Sequence, residues 1–384
     1  MKTNQKTKSP PLLNQFPCTQ CGAMLKYQPG TKHQKCEYCG QENDIVDRQE
    51  SIQEYDLHNA LVALANTQPS ITTKQAYCDS CGASFKFVAN INAGQCPFCG
   101  SHIVISPQKD KLITPKSLLP FVINEVIAQD KFLHWIQGLW FAPNKVKKYA
   151  RNDSKLVGIY LPYWTYDSDT KSTYTGARGH TYYVNERVSY IQNGRRVSTV
   201  KRVPKIRWTN VRGRVARFFD DVLIGASRSL PRQILDHLQP WDLENLVPYE
   251  EKYISGFQSE MYQVELDEGF DHAKQVMDGI IHRDIAYDIG GDHQRIYQVN
   301  TQHSHITYKH CLLPIWSAAF LYRDKTYRFV VNGRTGQVQG ERPYSYWKIT
   351  FAVIAGLILI AGGITFLQQS GALDQVEYTN YSAY

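Results

Sequence analysis

Eight of the nine cysteines fall into two quartets with identical spacing, and this repeat constrains the fold more than any other feature. The quartets are Cys18, Cys21, Cys36 and Cys39, and then Cys78, Cys81, Cys96 and Cys99. In each quartet two C-x2-C pairs are separated by 14 residues, and the second quartet follows the first at a constant offset of 60 residues. A glycine follows the second cysteine of every pair. The repeat predicts two copies of one small module.

The spacing has a chemical explanation. Two residues between thiolates let one tight turn present both sulfurs to one ion, and two such turns complete a tetrahedral site. The following glycine can adopt a positive φ, so backbone N–H groups can point at the sulfurs. Four thiolates leave no open coordination position. The pattern therefore predicts two structural Zn²⁺ ions in zinc ribbons, with iron–sulfur ligation as an alternative.

Disulfides or a redox C-x2-C are the competing interpretations of these cysteines. Residues 1–15 lack the apolar segment of a signal peptide, so we expect the N-terminal part to stay in the cytoplasm, where thiols remain reduced. A redox pair would begin a helix, whereas these pairs lie among proline, glycine and strand-forming residues. Cys311 lies in an apolar stretch, and we expect it to be a buried small hydrophobe.

An uncharged segment near the C-terminus predicts a membrane span. Ile349–Leu367 contains 19 residues without a charge, which as a helix would cover about 28 Å. Tyr344 and Trp347 stand before it, as in an aromatic belt. Residues 320–348 contain six Lys or Arg, and residues 368–384 contain none. This asymmetry predicts a cytoplasmic N-terminal part and a short external tail.

The whole sequence predicts an α+β protein with two small four-cysteine zinc ribbons, a β-rich antiparallel α+β domain and one C-terminal transmembrane helix. The predicted segments are zinc ribbon 1 (1–45), a helical linker (46–75), zinc ribbon 2 (76–106), the β-rich domain (119–345), the transmembrane helix (349–367) and the external tail (368–384). The match between LPYW at 161–164 and LPIW at 313–316 suggests two related subdomains within the β-rich domain.

Hydrophobic periodicity and turn residues locate the elements. Helices are predicted within 52–68, 121–137 and 269–285, strands within 156–225 and 294–331, and turns at Asn193-Gly194 and Asn332-Gly333. The helix in 52–68 is expected to place Ile52, Tyr55, Leu61 and Leu64 near one face. The helix in 269–285 is expected to place Ala273, Val276, Met277, Ile280 and Ile281 on one side.

Residues 187–217 carry ten Lys or Arg and no Asp or Glu. The candidate anion-binding residues are Arg195, Arg196, Lys201, Arg202, Lys205 and Arg207. A solvated hairpin face is the first interpretation, anionic lipid the second and nucleic acid the third. The overall net charge is +8, and two filled four-thiolate zinc sites would lower it by four to +4.

Common catalytic motifs are missing from the sequence. It has no GxxxxGK[ST], no GxGxxG that opens a helix, no GxSxG and no HExxH. Three histidines, His303, His305 and His310, lie close together, but no carboxylate is near them in sequence, and we expect no metal there. We therefore predict that the protein is not an enzyme.

The chain resembles bacterial zinc-ribbon membrane proteins that are often named primosomal protein N′ (replication factor Y) or superfamily II helicase. Besides the doubled CxxCG quartets, the resembling segments are LWFAP (139–143), GIYLPYWTYD (158–167), DVLIGASRSL (221–230), YISGFQSEMY (253–262) and FVVNGRTGQVQGERPYS (329–345). The resemblance implies a cytoplasmic zinc-ribbon head, a β-rich middle domain and a single-pass, tail-anchored location in the bacterial inner membrane. It does not imply helicase activity, because the nucleotide-binding loop is missing.

These observations lead to one functional prediction and one alternative. We predict a membrane-anchored zinc-binding protein that acts as a non-enzymatic interaction or adaptor protein for an unknown protein partner. The alternative is a nucleic-acid-binding accessory protein of replication or repair, similar to primosomal protein N′ but without helicase activity of its own.

Overall fold

The structure is a computed structural model that describes residues 16–46, 51–66, 71–78, 80–86, 93–99, 101–110, 113–152, 156–192, 195–322, 325–342 and 344–369. The strands are β1 (Leu25–Tyr27), β2 (His33–Cys36), β3 (Glu42–Asp44), β4 (Tyr55–Asp56), β5 (Ile71–Tyr77), β6 (Ser84–Lys86), β7 (Ala93–Gln95), β8 (His102–Asp110), β9 (Ser117–Leu118), β10 (Val157–Gln192), β11 (Arg195–Gly225), β12 (Val247–Pro248), β13 (Gln258–Glu260), β14 (His293–Tyr322), β15 (Lys325–Asn332) and β16 (Val338–Gly340). The helices are α1 (Leu57–Asn66), α2 (Glu125–Gly138), α3 (Asn144–Asn152), α4 (Arg232–His237), α5 (Glu251–Ile254), α6 (Leu266–Ile289) and α7 (Tyr346–Gln369).

The strands form two sheets. Strands β1, β2 and β3 make a small antiparallel sheet around the first cysteine quartet. The larger sheet has the order β12-β9-β14-β10-β13-β6-β5-β8-β7, with β11 on β10, β4 and β15 on β14, and β16 on β15. Short parallel ladders join β10 to β13 and β14 to β9. The protein is thus α+β and β-rich, with two four-cysteine clusters and one apolar C-terminal helix, which confirms the predicted fold class.

The chain divides into two compact units. Unit one comprises Met1–Asp169, Phe218–Met277 and His303–Pro343. Unit two comprises Thr170–Arg217, Asp278–Gln302 and Tyr344–Tyr384. The long strands β10, β11 and β14 and helix α6 each contribute residues to both units.

The two LPxW segments lie in unit one, on the neighbouring strands β10 and β14. Their tryptophans are buried and bound in the same way. The indole N–H of Trp164 donates to the carbonyl of Val264 at 2.9 Å, and that of Trp316 donates to the carbonyl of Ile123 at 2.9 Å. A buried indole N–H without a partner would be costly, so each bond positions a loop or a helix on the sheet.

The predicted boundaries of the domains remain a prediction.

Local sequence determines where the first two helices begin and end. Helix α2 begins after Asn124, whose side chain accepts a hydrogen bond from the Ile127 N–H at 2.9 Å, and it ends at Gly138 as predicted. Helix α1 begins at Leu57, after Asp56, which accepts from the Asn59 N–H at 2.7 Å. Tyr55 lies in β4 and pairs with β14, so its predicted place in the helix was wrong.

Helix α6 is longer than the sequence predicted, and its buried side differs from the prediction. It extends from Leu266 to Ile289. The buried positions follow a four-residue step at Ala273, Met277, Ile281, Ile285 and Ile289. Val276, predicted on the buried side, is 42% exposed. A four-residue step makes this buried stripe slant around the helix. The strands that the helix covers select the stripe, and the helix sequence alone does not identify them.

The predicted strands and the second predicted turn are present. Strands β10 and β11 occupy 157–192 and 195–225, and strands β14 and β15 occupy 293–322 and 325–332. Asn332 begins a turn in which the N–H groups of Arg334 and Thr335 donate to the Asn332 side chain. The Asn193-Gly194 turn lies outside the described residues, as does most of the predicted tail, from residue 370 onward.

Helix α7 is the one helix in the described part of the chain that is long and apolar enough to cross a membrane. The 21 residues Tyr346–Phe366 have a mean hydropathy of 2.4, and none of the segment is buried within the protein. An apolar helix without a protein-facing side needs another apolar environment, because so many exposed apolar side chains are unfavourable in water.

Candidate metal centres

Tight turns bring together the cysteines of each pair. The N–H of Cys18 donates to the carbonyl of Ala23 at 2.7 Å, and the N–H of Gly22 donates back to the carbonyl of Cys18 at 2.9 Å. The second ribbon repeats this arrangement, with Gly82 donating to Cys78 at 2.8 Å. Gly22 and Gly82 have φ values of 74° and 78°, the left-handed conformation that the sequence predicted for these glycines.

The two turns of the first quartet place four sulfurs around one point. The Cys18 and Cys39 sulfurs are 3.6 Å apart, and the Cys21 and Cys36 sulfurs are 3.4 Å apart. All four sulfurs lie within 4.8 Å of one another. A tetrahedral zinc site with Zn–S bonds of about 2.3 Å has S···S edges of about 3.8 Å. The cluster therefore has nearly the dimensions of a four-thiolate metal site.

The second quartet has the same geometry. The Cys78 and Cys99 sulfurs are 3.4 Å apart, and the Cys81 and Cys96 sulfurs are 3.5 Å apart. All eight cysteines of the two clusters are free thiols. Each cluster can hold one metal ion, and its donor set of sulfur alone matches the preference of Zn²⁺ for soft ligands.

Backbone N–H groups point at the sulfurs and stabilise their charged form. In the first cluster the N–H of Cys39 faces the Cys36 sulfur and lowers the pKa of that thiol to about 6. In the second cluster the Cys81 sulfur accepts a hydrogen bond from Cys96, which lowers the pKa of Cys81 to about 5 and raises that of Cys96. Thiols with lowered pKa values lose their protons readily, and a divalent cation that binds the cluster displaces the protons that remain.

The two clusters differ in their surroundings. The first has a small core of its own, made of Cys18, Leu25 and Cys36 with Phe16 and Ala23 against them. Cys78 and Cys96 of the second cluster belong to a large core that includes Leu161 on β10 and Leu313 on β14. The second cluster is therefore part of the interior of unit one.

A polar contact also attaches the second cluster to unit one. The side-chain amide of Gln263 donates to the carbonyl of Gly82 at 2.9 Å and to the carboxyl of Glu260 at 3.3 Å. Glu260 is 2% exposed and accepts a further hydrogen bond from the hydroxyl of Ser229. Burial raises the pKa of Glu260 to about 8, so this carboxyl is largely protonated at neutral pH. No motif in the sequence singles out this residue.

A third group of possible ligands, made of carboxylates in unit one, was not found by sequence reasoning. Glu54, Asp167 and Asp220 place an oxygen atom each within 4.8 Å of the others. The ammonium of Lys309 lies 3.1 Å from Glu54 and 2.6 Å from Asp221, and it lowers the pKa of Glu54 against the effect of burial. Lys309 thus neutralises part of the negative charge around this group, which we interpret as a structural ion-pair network.

The structure separates the three histidines that are close in sequence. His303 lies near Ser168, His305 binds Asp169 at 3.0 Å, and His310 is buried with its ring against Trp164. No histidine belongs to a metal-ligand group in the part of the chain that the structure describes. Cys311 is fully buried, and burial raises its pKa to about 12, which agrees with the expected hydrophobic role.

The predicted anion-binding residues all lie on β11 and are exposed. They are Arg195, Arg196, Lys201, Arg202, Lys205 and Arg207. Lys205 forms an ion pair with Glu186 at 2.5 Å. The guanidinium groups of Arg202 and Arg207 lie over the rings of Tyr183 and Tyr182, at 4.4 and 5.1 Å. Three of the six therefore have partners within the protein, and anion binding by this set remains a prediction.

The fold and the clusters define a β-rich α+β protein with two four-cysteine centres and one apolar C-terminal helix. The chain is similar to a Bacillus subtilis (strain 168) protein described as uncharacterized protein YdjG, with 25% identity over 365 residues that cover 93% of this chain and 98% of the relative. No model of a protein family matches the chain, so its resemblance to primosomal protein N′ is not confirmed. No solved structure matches it at a significant level.

Proposed function

We propose that this chain is a membrane-anchored zinc-binding protein that acts through interaction rather than catalysis. The observation that carries the proposal is the arrangement of eight thiols as two sets of four, each with all sulfurs within 4.8 Å. Zinc is the ion that such closed four-sulfur sets most often hold, and it would serve a structural role in both.

Each zinc ion would link two turns that are separate in the sequence. In the first cluster it would join the turn at Cys18–Cys21 to the turn at Cys36–Cys39, which are otherwise connected by the short strands β1 and β2. Small modules of this size cannot bury enough apolar surface to fold alone, so metal binding would supply much of their folding free energy.

The apolar helix α7 supports the anchoring part of the proposal. It is uncharged along Ile349–Leu367 and is not buried within the protein along Tyr346–Phe366, and the six basic residues before the uncharged segment favour a cytoplasmic location of the preceding residues. A cytoplasmic location also agrees with free thiols, because disulfides are rare there. Together these arguments support a single-pass protein of the bacterial inner membrane, with its bulk in the cytoplasm.

The absence of enzymatic activity is proposed from the chemistry of the candidate groups. Four sulfurs leave no coordination position for a substrate or for an activated water molecule. The thiol of Cys311 is buried and has a raised pKa, so it is a poor nucleophile. Lys309 forms ion pairs with Glu54 and Asp221, so it neutralises part of the carboxylate charge near it. We therefore favour an adaptor that binds a protein partner.

Two measurements on the full-length protein test this proposal. Elemental analysis of protein purified under reducing conditions should find two zinc ions per chain, and fractionation of cells should place the protein in the inner membrane. A metal content of one or none would contradict the two-site proposal. Recovery of the full-length chain in the soluble fraction would contradict the anchor.

A further inference from the structure

The sheet of unit two has one face that is open and polar. Residues of three strands line a cavity of about 450 Å³ on this face, which we call the open face. They are Thr173, Tyr174 and Thr175 on β10, Arg212, Gly213 and Arg214 on β11, and Gln298 and Asn300 on β14. Every side chain in this lining is hydrogen-bonding or cationic, apart from that of the glycine, and none is acidic.

The opposite face of these strands is closed by helix α6. The hydroxyl of Tyr174 donates to Asp288 at 2.5 Å. A Cβ at Gly213 would lie 2.5 Å from that hydroxyl and 2.8 Å from Asp288, so only glycine fits there. Because residues 174 and 213 face the helix, their neighbours Thr175, Arg212 and Arg214 face the other way.

The two arginines of the open face lack a compensating charge. Four carboxylates of unit two have other partners: Asp284 pairs with Arg217 at 2.6 Å, Glu186 pairs with Lys205, Asp288 accepts from Tyr174, and Asp292 accepts from the N–H of Thr181. Within the described residues, no carboxylate lies within ion-pair distance of Arg212 or Arg214. Two uncompensated guanidinium groups in a concave surface attract anions, and guanidinium binds phosphate in a bidentate manner.

An aromatic ring lies further along the strands on the same face. A Cβ at Gly179, four residues after Thr175, would lie 3.0 Å from the ring of Trp208, so Trp208 is on the same face as Thr175. The guanidinium of Arg295 stacks over this ring at 4.0 Å. The open face therefore combines cationic groups, amides and an aromatic ring with a stacked guanidinium.

We propose that the open face of unit two binds single-stranded nucleic acid. Arg212 and Arg214 would contact phosphates, the amides of Gln298 and Asn300 would contact base edges, and the Trp208–Arg295 pair would offer a surface for base stacking. The concave shape and the neutral amides favour this ligand over a lipid surface, since a planar layer of headgroups contacts a concavity poorly and has no base edges to recognise.

This inference goes beyond the proposed function, because it requires neither metal nor anchor. The test is fluorescence anisotropy with labelled dT25 and U25 and the full-length protein in nonionic detergent. The substitution pair is Arg212→Gln with Arg214→Gln. The matched control, Arg232→Gln with Arg283→Gln, removes the same charge from two exposed helical positions. Zinc content, measured in the same samples, reports separately on the proposed function.

We expect the wild type and the control pair to bind, and the open-face pair to lose at least about tenfold in affinity at 0.1 M salt. The slope of log K against log salt should fall by about 1.4, because each phosphate contact on a single strand contributes about 0.7. Arg212→Lys with Arg214→Lys should keep most of the slope, since it keeps the charge.

Three results would overturn the inference. The first is no binding of either oligonucleotide by the wild type at low salt. The second is equal loss of affinity in the control pair. The third is displacement of the oligonucleotide, at equal phosphate concentration, by inorganic polyphosphate or by micelles that contain phosphatidylglycerol, since either would show recognition of charge alone.

Discussion

The sulfurs of Cys21 and Cys36 lie 3.4 Å apart, although 15 positions separate these residues in the sequence. Each belongs to a separate turn, and the turns meet only because β1 and β2 pair in a register that sets Leu25 opposite Cys36. Strand pairing thus builds the site, and the metal in turn would hold the strands together. This mutual dependence is the basis of the first two predictions.

Metal content should follow the cysteines of the quartets alone. Cys36→Ser should lower the zinc content from two ions per chain to one, because three thiolates hold the ion much more weakly than four. Cys311→Ala should leave it at two, because Cys311 is buried in the core but belongs to neither four-sulfur cluster. Elemental analysis checks both variants, and loss of zinc in the Cys311 variant would contradict the assignment.

The two sites should differ in their effect on stability. Cys96→Ser should destabilise unit one as a whole, because Cys96 is in the same core as Leu161 and Leu313. Cys36→Ser should act mainly on the first ribbon, because the small core around Cys18, Leu25 and Cys36 is separate, and only Tyr27 and Ile45 of this ribbon reach the core that contains Phe121. Hydrogen exchange should therefore show loss of protection in β10 and β14 for Cys96→Ser. For Cys36→Ser, the loss of protection should be concentrated in residues 16–46. If both variants lost protection in the same regions, the two metal sites would not differ in their effect on stability.

The pair Arg334–Asp242 should contribute to stability at neutral pH. Arg334 donates to Asp242 at 3.0 Å and to the carbonyl of Pro120 at 3.0 Å, and although burial raises the pKa of Asp242, the arginine lowers it overall. A carboxyl with a lowered pKa stabilises the folded state above its unfolded pKa, near 3.9, and this contribution is lost as the pH falls through the folded value.

Arg334→Gln should therefore cost about 2 kcal/mol at pH 7, the range for hydrogen bonds to charged groups. The difference from wild type should begin to shrink below about pH 4, and it should be smallest below the lowered pKa of Asp242, where this carboxyl is protonated in both proteins. Thermal unfolding at several pH values measures this. Arg232→Gln, which removes a mainly exposed i,i+4 pair with Asp236, is the control and should cost less than about 0.5 kcal/mol.

The apolar helix should be sufficient to explain membrane association. Deletion of residues 346–384 should move the protein to the soluble fraction, because α7 is the sole candidate span among the described residues. A high-salt wash distinguishes this from electrostatic attachment through β11, which salt would release. A truncated protein that stays with membranes after the wash would contradict the prediction.

The tip of the β10–β11 pair should tolerate charge reversal. Arg195→Glu with Arg196→Glu should change neither folding nor membrane location, because both side chains are exposed and surface substitutions usually cost little. Arg207→Glu should cost more, since Arg207 stacks on Tyr182. Circular dichroism and fractionation measure the two effects, and unfolding of the double variant would show that the tip is packed.

Some features were predictable from sequence because they depend on neighbours along the chain. The spacing within C-x2-C, the glycine that follows each pair and the Asn124 cap of α2 all act within a few residues. The long uncharged segment of α7 is likewise visible without any knowledge of the fold. These local signals gave the four-cysteine clusters, the fold class and the apolar helix.

Other features depend on which surfaces meet, and the sequence does not state this. Val276 and Ile280 looked equivalent to Met277 in a helical pattern, but the strands under α6 select a stripe with a four-residue step that leaves Val276 exposed. Lys309 compensates carboxylates at positions 54 and 221, which are far apart in sequence. Such ion pairs form only after strands from distant segments have paired.

By itself, then, the sequence determined the two cysteine modules and the apolar C-terminal helix, because turn geometry and hydropathy are properties of short segments. Only the tertiary structure decided that the second cluster is part of the core of unit one, whereas the first has its own. It also decided which side of β11 is open. Arg212 and Arg214 face a cavity because Tyr174 and Gly213 face α6, and strand alternation then leaves the arginines no other direction.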